Sequence, residues 1–401
     1  MLSDEVLEKV IERITNRIEQ QNTYVLEQIG KSIKKIGTLT PTKAQELGQI
    51  LKYGGDYDKI VKKIAEITDL NVKDIKKIFK EVAKHDLNFA KQFYDYRNVK
   101  FIPYEQNEAL KRQVDAITNI MVDNYIAKTK AVGFSVKDLK GNIVFQDLGT
   151  TYRDTIDKAV LSVSQGKSTF QQQMYQTLKE LGSSGLKTLD YESGRSMRLD
   201  SATRMNLKDT LRQLHNEEQE LFGKEFDSDG VEISVHSNPA PDHEEVQGKQ
   251  FSNEEFNKFQ NDIRAVSYDN IVFEPEVDGK DRRSISEYNC YHYTFAIVLG
   301  VSKPQYSNKQ LKEIIGKNEK GFELDGKHYT NYEGTQLQRQ LETKIREQKD
   351  INIIAKASDD KELIEETKTK IRQLTKKYKE LSNISGLPSK LQRLRVSGYH
   401  I

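Results

Sequence analysis

The chain has 401 residues, of which 36% are hydrophobic and 31% charged, with one cysteine and no tryptophan. A mean hydropathy of -0.74 and 63 basic against 61 acidic residues exclude a bundle of membrane-spanning helices and a uniformly basic nucleic-acid binder. They describe a helix-rich, heavily charged protein with room for two or three domains. The lone Cys290 excludes an internal disulfide and a multi-cysteine zinc cluster, and fits folding in a reducing compartment.

The start, MLSDEVLEKV, is acidic and amphipathic, so no export signal is expected. Val6, Val10, Ile14 and Ile18 recur at four-residue steps, and Val25, Ile29 and Ile33 continue the spacing, which predicts helices sharing one apolar stripe. Thr40-Pro41 reads as an N-cap followed by proline at the first helical position. Short helices are expected next, interrupted at Gly54-Gly55 and at the DLN around Asn71. The two amphipathic pieces flanking that second break suit a packing or docking module, with a helix-turn-helix DNA-binding module over residues 57–84 as the alternative.

Residues 133–145, GFSVKDLKGNIVF, predict a hairpin. Two helices follow, parted near Gly166, the second closed by Gly182 and Gly185; a polar link, LDYESGRSMRLD, then leads into a helix ending near Gly223. VEISVH, NIVFE and TFAIVLG read as strands, with a helix from about Asn253 and a hairpin turning at Asp325-Gly326. The longest apolar run, TFAIVLGV, is far short of the roughly 20 residues that cross a bilayer. Beyond Thr330 two helices are expected, the second after a cap near Ser358-Asp359 and ending at Gly386, with a coiled-coil-like seam of Ile371, Leu374, Tyr378 and Leu381.

The fold class is therefore α+β and helix-rich: a helical docking region over 1–130, a small mixed central domain over 131–330, and a C-terminal helical hairpin over 331–401. That last region ends in a basic tail, in which Lys376, Lys377, Lys379, Lys390, Arg393 and Arg395 are candidate nucleic-acid contacts. A solvated helix face with a frayed end accounts for the same charges.

Chemistry concentrates in VEISVHSNPAPDHEEVQGKQFS (231–252) and around Cys290. In extended chain Cys290 and His292 point to one face. With His236 and His243 they make a conceivable zinc set of one thiolate and three imidazoles, and with Asp242 a hydrolytic centre. No HExxH, CxxC, nucleophile elbow or Walker sequence accompanies them. The competing reading is architectural: histidines that tie the loop to backbone carbonyls, Gln247-Gly248 and Asn289 that support turns, and Arg195, Arg198 and Arg204 that pair with Asp242, Glu244 and Glu245.

The ordered blocks YESGR and LDSATRMN (191–206), VEISVH…PDHEEVQGKQFS, YNCYHYTFAIVLGVSKPQYS (288–307) and HYTNYEGTQLQRQLETKIR (328–346) resemble the phage minor capsid protein 2 family, itself akin to Mu F-like head morphogenesis proteins. The resemblance covers roughly residues 100–395. It makes Arg204, His236, His243, Gln247, Gly248, Asn289, Cys290 and His292 the signature positions. Ser237-Asn238 depart from it where an arginine or aromatic residue is expected beside the first histidine, and Tyr291 where an arginine is expected after Cys290. What it implies is a structural protein of the phage head, assembled in the host cytoplasm and carried in the virion, in several copies beside the portal. The portal protein, the major capsid protein and packaged DNA are the implied partners, no membrane is involved, and no enzymatic activity, cofactor or metal comes with the family.

Overall fold

A computed structural model describes residues 4–138, 140–189, 194–277, 279–285, 290 and 292–399. It is 67% helical with about 11% strand in small sheets, a helix-rich α+β fold as the sequence predicts. The elements run α1 (Asp4–Gly37), α2 (Pro41–Tyr53), α3 (Gly55–Arg97), α4 (Glu108–Lys130), β1 (Val132–Lys137), β2 (Ile143–Asp147), α5 (Leu148–Ser164), α6 (Lys167–Ser184), β3 (Lys187–Leu189), β4 (Ser196–Arg198) and α7 (Leu199–Glu225). They continue with β5 (Gly230–Ile233), β6 (Gln250–Ser252), α8 (Asn253–Gln260), β7 (Ala265–Val266), β8 (Val272–Phe273), β9 (Glu276–Val277), β10 (Lys280–Asp281) and β11 (Thr294–Ile297). The last are α9 (Asn308–Lys320), β12 (Phe322–Leu324), β13 (Lys327–Tyr329), α10 (Asn331–Ser358) and α11 (Lys361–Ser385). Among the described residues no helix is long and apolar enough to cross a membrane.

Two compact units divide the chain, one holding residues up to 8, 75–121 and 205–336, the other 9–74, 122–204 and 337 onward. In the second unit the predicted stripe of α1 lines the core: Ile14, Ile18, Val25, Ile29 and Ile33 are buried, while Val10 is half-buried and Ile11, outside the predicted stripe, is buried in its place. The 133–145 hairpin forms as β1 against β2, with Phe134 opposite Gln146 and Val136 opposite Val144. The expected polar link begins at the end of β3 and contains β4 (Ser196–Arg198), which pairs with β3 and completes a four-stranded sheet in the order β2-β1-β3-β4. The polar sequence of β4 suits an edge strand, where one face stays wet. Residues 190–193 of that link lie outside the described residues.

The break expected at Asn71 does not occur, because α3 runs unbroken from Gly55 to Arg97. Asn71 is buried and its amide donates to Tyr125 Oη (2.8 Å) and Ile14 O (3.4 Å). A side chain that disfavours helix by competing for its own backbone is occupied here by distant partners, and the helix-turn-helix reading of residues 57–84 falls with the turn. Gly182, expected to close α6, lies inside it instead: a Cβ there would sit 2.5 Å from Ile351 Cα, so glycine lets α6 meet α10 backbone to backbone. The cap of α11 is Asp360, whose carboxylate accepts from Leu363 N (3.0 Å), and Gly386 ends that helix in the left-handed conformation. The tail is not frayed through Tyr399: Leu387, Leu394 and Val396 are buried, and Thr23 Oγ1 donates to Ser397 O (2.6 Å).

Charges as well as apolar groups hold this unit. Asp350, with no solvent exposure, accepts from Arg198 Nη1 (2.6 Å) and Asn22 Nδ2 (3.0 Å), while Asn22 Oδ1 accepts from Leu186 N (2.7 Å). Arg346 bonds Asp200 and lies 2.8 Å from Glu19. Burial raises Glu19 above the usual carboxylate range, against the pull of Arg346 and Arg198.

In the first unit a three-stranded antiparallel sheet, ordered β11-β5-β6, pairs Thr294 with Ile233 and Val231 with Phe251. Ser252 caps α8, as the predicted start at Asn253 requires. Ile233, Val246, Phe251, Phe259, Ala265, Phe273 and Ile285 form the core, with the Phe251 ring 5.6 Å from Phe273 and 5.9 Å from Phe259. Asp325 and Gly326 turn the β12–β13 hairpin with φ of 51° and 76°.

Removing one partner of a buried ion pair strands the other charge, at a cost of about 3–5 kcal/mol. Asp350→Ala should therefore lower unfolding stability by that amount in urea titration, while Lys224→Ala, which breaks an exposed pair with Glu220, leaves it unchanged. Equal effects from the two variants would contradict this view of the network.

Candidate functional site

Where β5 ends at Ile233 the chain departs for residues 234–249 and returns to the same strand end. Gly248 N donates to Ile233 O (2.9 Å) and Ile233 N to Lys249 O (3.0 Å). Gly248 makes the return with φ of 70°, and a Cβ on it would meet Leu311 Cδ2 at 2.6 Å. Gln247, buried, accepts from His236 N through Oε1 (2.8 Å), so the amide next to the glycine ties the far side of the loop.

The middle of the loop is clamped by two arginines. Asp242 takes a two-pronged bond from Arg283, 2.6 Å from Nε and 2.8 Å from Nη2. Burial works against the Asp242 carboxylate, yet Arg283 keeps it below its ordinary range. Arg282 Nη1 donates to Asp242 O (2.8 Å), its guanidinium lying over the Phe273 ring at 5.6 Å. His243 Nε2 is 2.8 Å from Arg283 O, which can only accept, so that nitrogen carries the proton.

The second segment is aligned by exchange of bonds with the end of β5: Ser234 N donates to Tyr293 O (2.9 Å) and Tyr293 N to Ser234 Oγ (2.8 Å). Upstream, Arg212 of α7 donates to Cys290 O. Loop and strand together bring His243 Nδ1 and His292 Nδ1 each to 3.6 Å from Cys290 Sγ. His236 closes the group, its ring centroid 4.6 Å from that of His292 and inclined at 65°. All four residues singled out in the sequence for an imidazole–thiolate site thus converge.

Electrostatically the imidazoles are unequal. Burial, reinforced by neighbouring His236 and His243, pushes His292 down to about 2, so it is neutral. Burial also presses on His243, but Cys290, the Arg283 carbonyl and Asp242 together raise it above the usual histidine range. Relative exposures of 1% for His243, 2% for Cys290 and 3% for His292 decide what the cluster can do: it can hold protein segments or an ion, but no substrate reaches it without opening the loop.

Arg204 belongs to the other unit, where Nη2 is 3.4 Å from Thr15 Oγ1, and Asn289 lies outside the described residues. Arg198 pairs with Asp350 rather than with the loop acids, while Glu244 accepts from Asn318 Nδ2 (2.7 Å). Lys376, Lys377, Lys379, Lys390 and Arg395 are exposed, and half-buried Arg393 lies 3.9 Å from Glu342. Arg212 and Arg283, which position the cluster, escaped the sequence reading because they act from 78 and 40 residues away. The buried His215–Asp86 pair (2.6 Å), beside Tyr293 and Phe295, escaped for the same reason.

Gly248→Ala forces both a left-handed backbone and a collision with Leu311, so a loss of about 1–3 kcal/mol is expected. Urea unfolding reads it, and a variant as stable as the parent would show that the loop is not held as described.

A family model described as phage minor capsid protein 2 matches residues 2–383. No curated protein and no solved structure matches the chain. Since the family match takes in nearly every residue, the N-terminal helices as well as the blocks around the cluster, the chain belongs to the phage minor capsid protein 2 family and is a minor capsid protein of a bacteriophage.

Proposed function

We propose that this protein is a portal-associated component of the phage head that takes part in head morphogenesis, present in several copies and facing packaged DNA. The observation that carries the reading is the family match over residues 2–383, because a role located in one short site would not need resemblance along every helix. The helical regions over 1–130 and 331–401 serve as docking surfaces for portal or major capsid protein, and the loop–strand cluster keeps the β5–β6–β11 sheet of its own unit rigid.

Support for docking comes from one cleft, lined by Gln45, Gly48 and Lys52 of α2 and by Asp157, Val160 and Leu161 of α5, with Leu161 58% exposed, so the docking surface of the N-terminal helices takes in α5 as well. Singly exposed aliphatic side chains such as Ile50 of α2 (66%) and Ile143 of β2 (74%) are ordinary on a protein surface and add no support of their own. A hydrolase built on His236, His243, Cys290 and His292 has its donors in one place, but their burial argues for a structural use.

Mass spectrometry of purified virions should find the chain at a few per cent or less of major capsid protein, and co-expression with the portal protein should yield a complex that survives gel filtration. Absence from virions and failure to co-assemble would remove the proposal. The basic tail makes a separate expectation: replacing Lys376, Lys377, Lys379, Lys390 and Arg395 with glutamine should flatten the salt dependence of DNA binding by about 0.9 in log–log slope for each phosphate that is no longer neutralised. An unchanged slope would show that the tail does not meet DNA.

A further inference from the structure

Three metal-capable side chains meet in a dry place: Cys290 Sγ lies 3.6 Å from His243 Nδ1 and from His292 Nδ1, and all three residues are buried. A thiol that donates to one ring nitrogen and accepts from the other satisfies both contacts by hydrogen bonds, but His292 Nε2 is left buried without a hydrogen-bond partner, a deficit of about 1–3 kcal/mol for a neutral group. His243 holds its Nε2–H on Arg283 O, which turns Nδ1 toward the sulfur.

The spacing is that of a coordination sphere. Zinc–sulfur and zinc–nitrogen bonds of about 2.3 and 2.0–2.1 Å at the tetrahedral angle put sulfur and nitrogen about 3.6 Å apart, the separation found on both sides of Sγ. One donor atom from each of the three residues lies within 4.8 Å of the others, against about 3.3 Å between tetrahedral nitrogens, so closing on an ion needs a shift of roughly 1 to 1.5 Å. The outer contacts follow the usual rule that a ligating histidine donates its other N–H to a carbonyl: His243 does so to Arg283, and Arg212 holds the Cys290 carbonyl.

We propose that His243, Cys290 and His292, joined by His236, bind one divalent cation of the zinc class in a closed structural site. A thiolate with imidazoles selects zinc over calcium or magnesium, which take oxygen. His236 is half-buried with its ring against that of His292, and it fills the fourth position that a catalytic site would leave open. The ion cross-links the 234–249 loop to the 290–293 segment, and its binding free energy adds to that of folding. None of this depends on where the protein sits in the head.

The test uses the full chain, made without a polyhistidine tag in zinc-supplemented medium. Elemental analysis after gel filtration should find about one zinc per chain in the parent and a small fraction of that in Cys290→Ser. Because Cys290→Ser risks misfolding, two further measurements stand on folded protein. Cobalt(II) added to chelator-stripped parent should give the charge-transfer absorption of a cobalt–thiolate bond, and His236→Ala should keep the ion but bind it at least tenfold more weakly. Parent protein that carries no zinc and shows no cobalt–thiolate band overturns the site; zinc bound as tightly by His236→Ala overturns the assignment of the fourth ligand.

Discussion

The first unit depends on one junction, at which the side chains of His243, Cys290 and His292 tie a loop that departs from β5 to the segment preceding β11. Strands of three and four residues bury little by themselves and do not fix a fold alone. Here the sheet is extended at one end by loop backbone, through Gly248 and Lys249 on one side and Tyr293 on the other. The phenylalanine core packs behind it, with Val246 of the loop itself fully buried. Loop, sheet and core are thus mutually dependent, and the junction is where loop and strand are locked in register.

In the second unit a different chemistry does the corresponding work. Asp350 sits among Arg198 and Asn22, and Arg346 among Asp200 and Glu19, so charged groups join α1, β4, the start of α7 and α10. Such networks cost desolvation and seldom add much net stability; what they exclude is alternative packing, since any slip of α10 along α1 leaves a buried charge unpaired. Definite shape matters to a protein whose role is to be a part of a larger particle, and both units add polar clusters to their apolar cores.

Much of this was legible in the sequence. The stripe of α1, the 133–145 and 322–329 hairpins, the start of α8 after Ser252 and the end of α11 at Gly386 all follow from local patterns, and the four residues of the cluster were selectable by donor type alone. What could not be read was set by distant partners. Asn71 looked like a break because nothing nearby in sequence announces Tyr125 and Ile14; β4 looked like part of a linker because a strand at a sheet edge need not be apolar. The arginines that aim the cluster sit in helix and loop sequence with no signature of their own, so convergence of the donors was visible only in three dimensions.

Amide hydrogen exchange addresses the junction most directly, because segments locked together open together. If the account is right, backbone amides of 234–249 and 292–293 exchange as slowly as those of β5, in one cooperative step, and Cys290→Ala releases both segments at once while α1 and α10 stay protected. Rapid exchange of the loop in the parent protein, with β5 and β6 still protected, would contradict it.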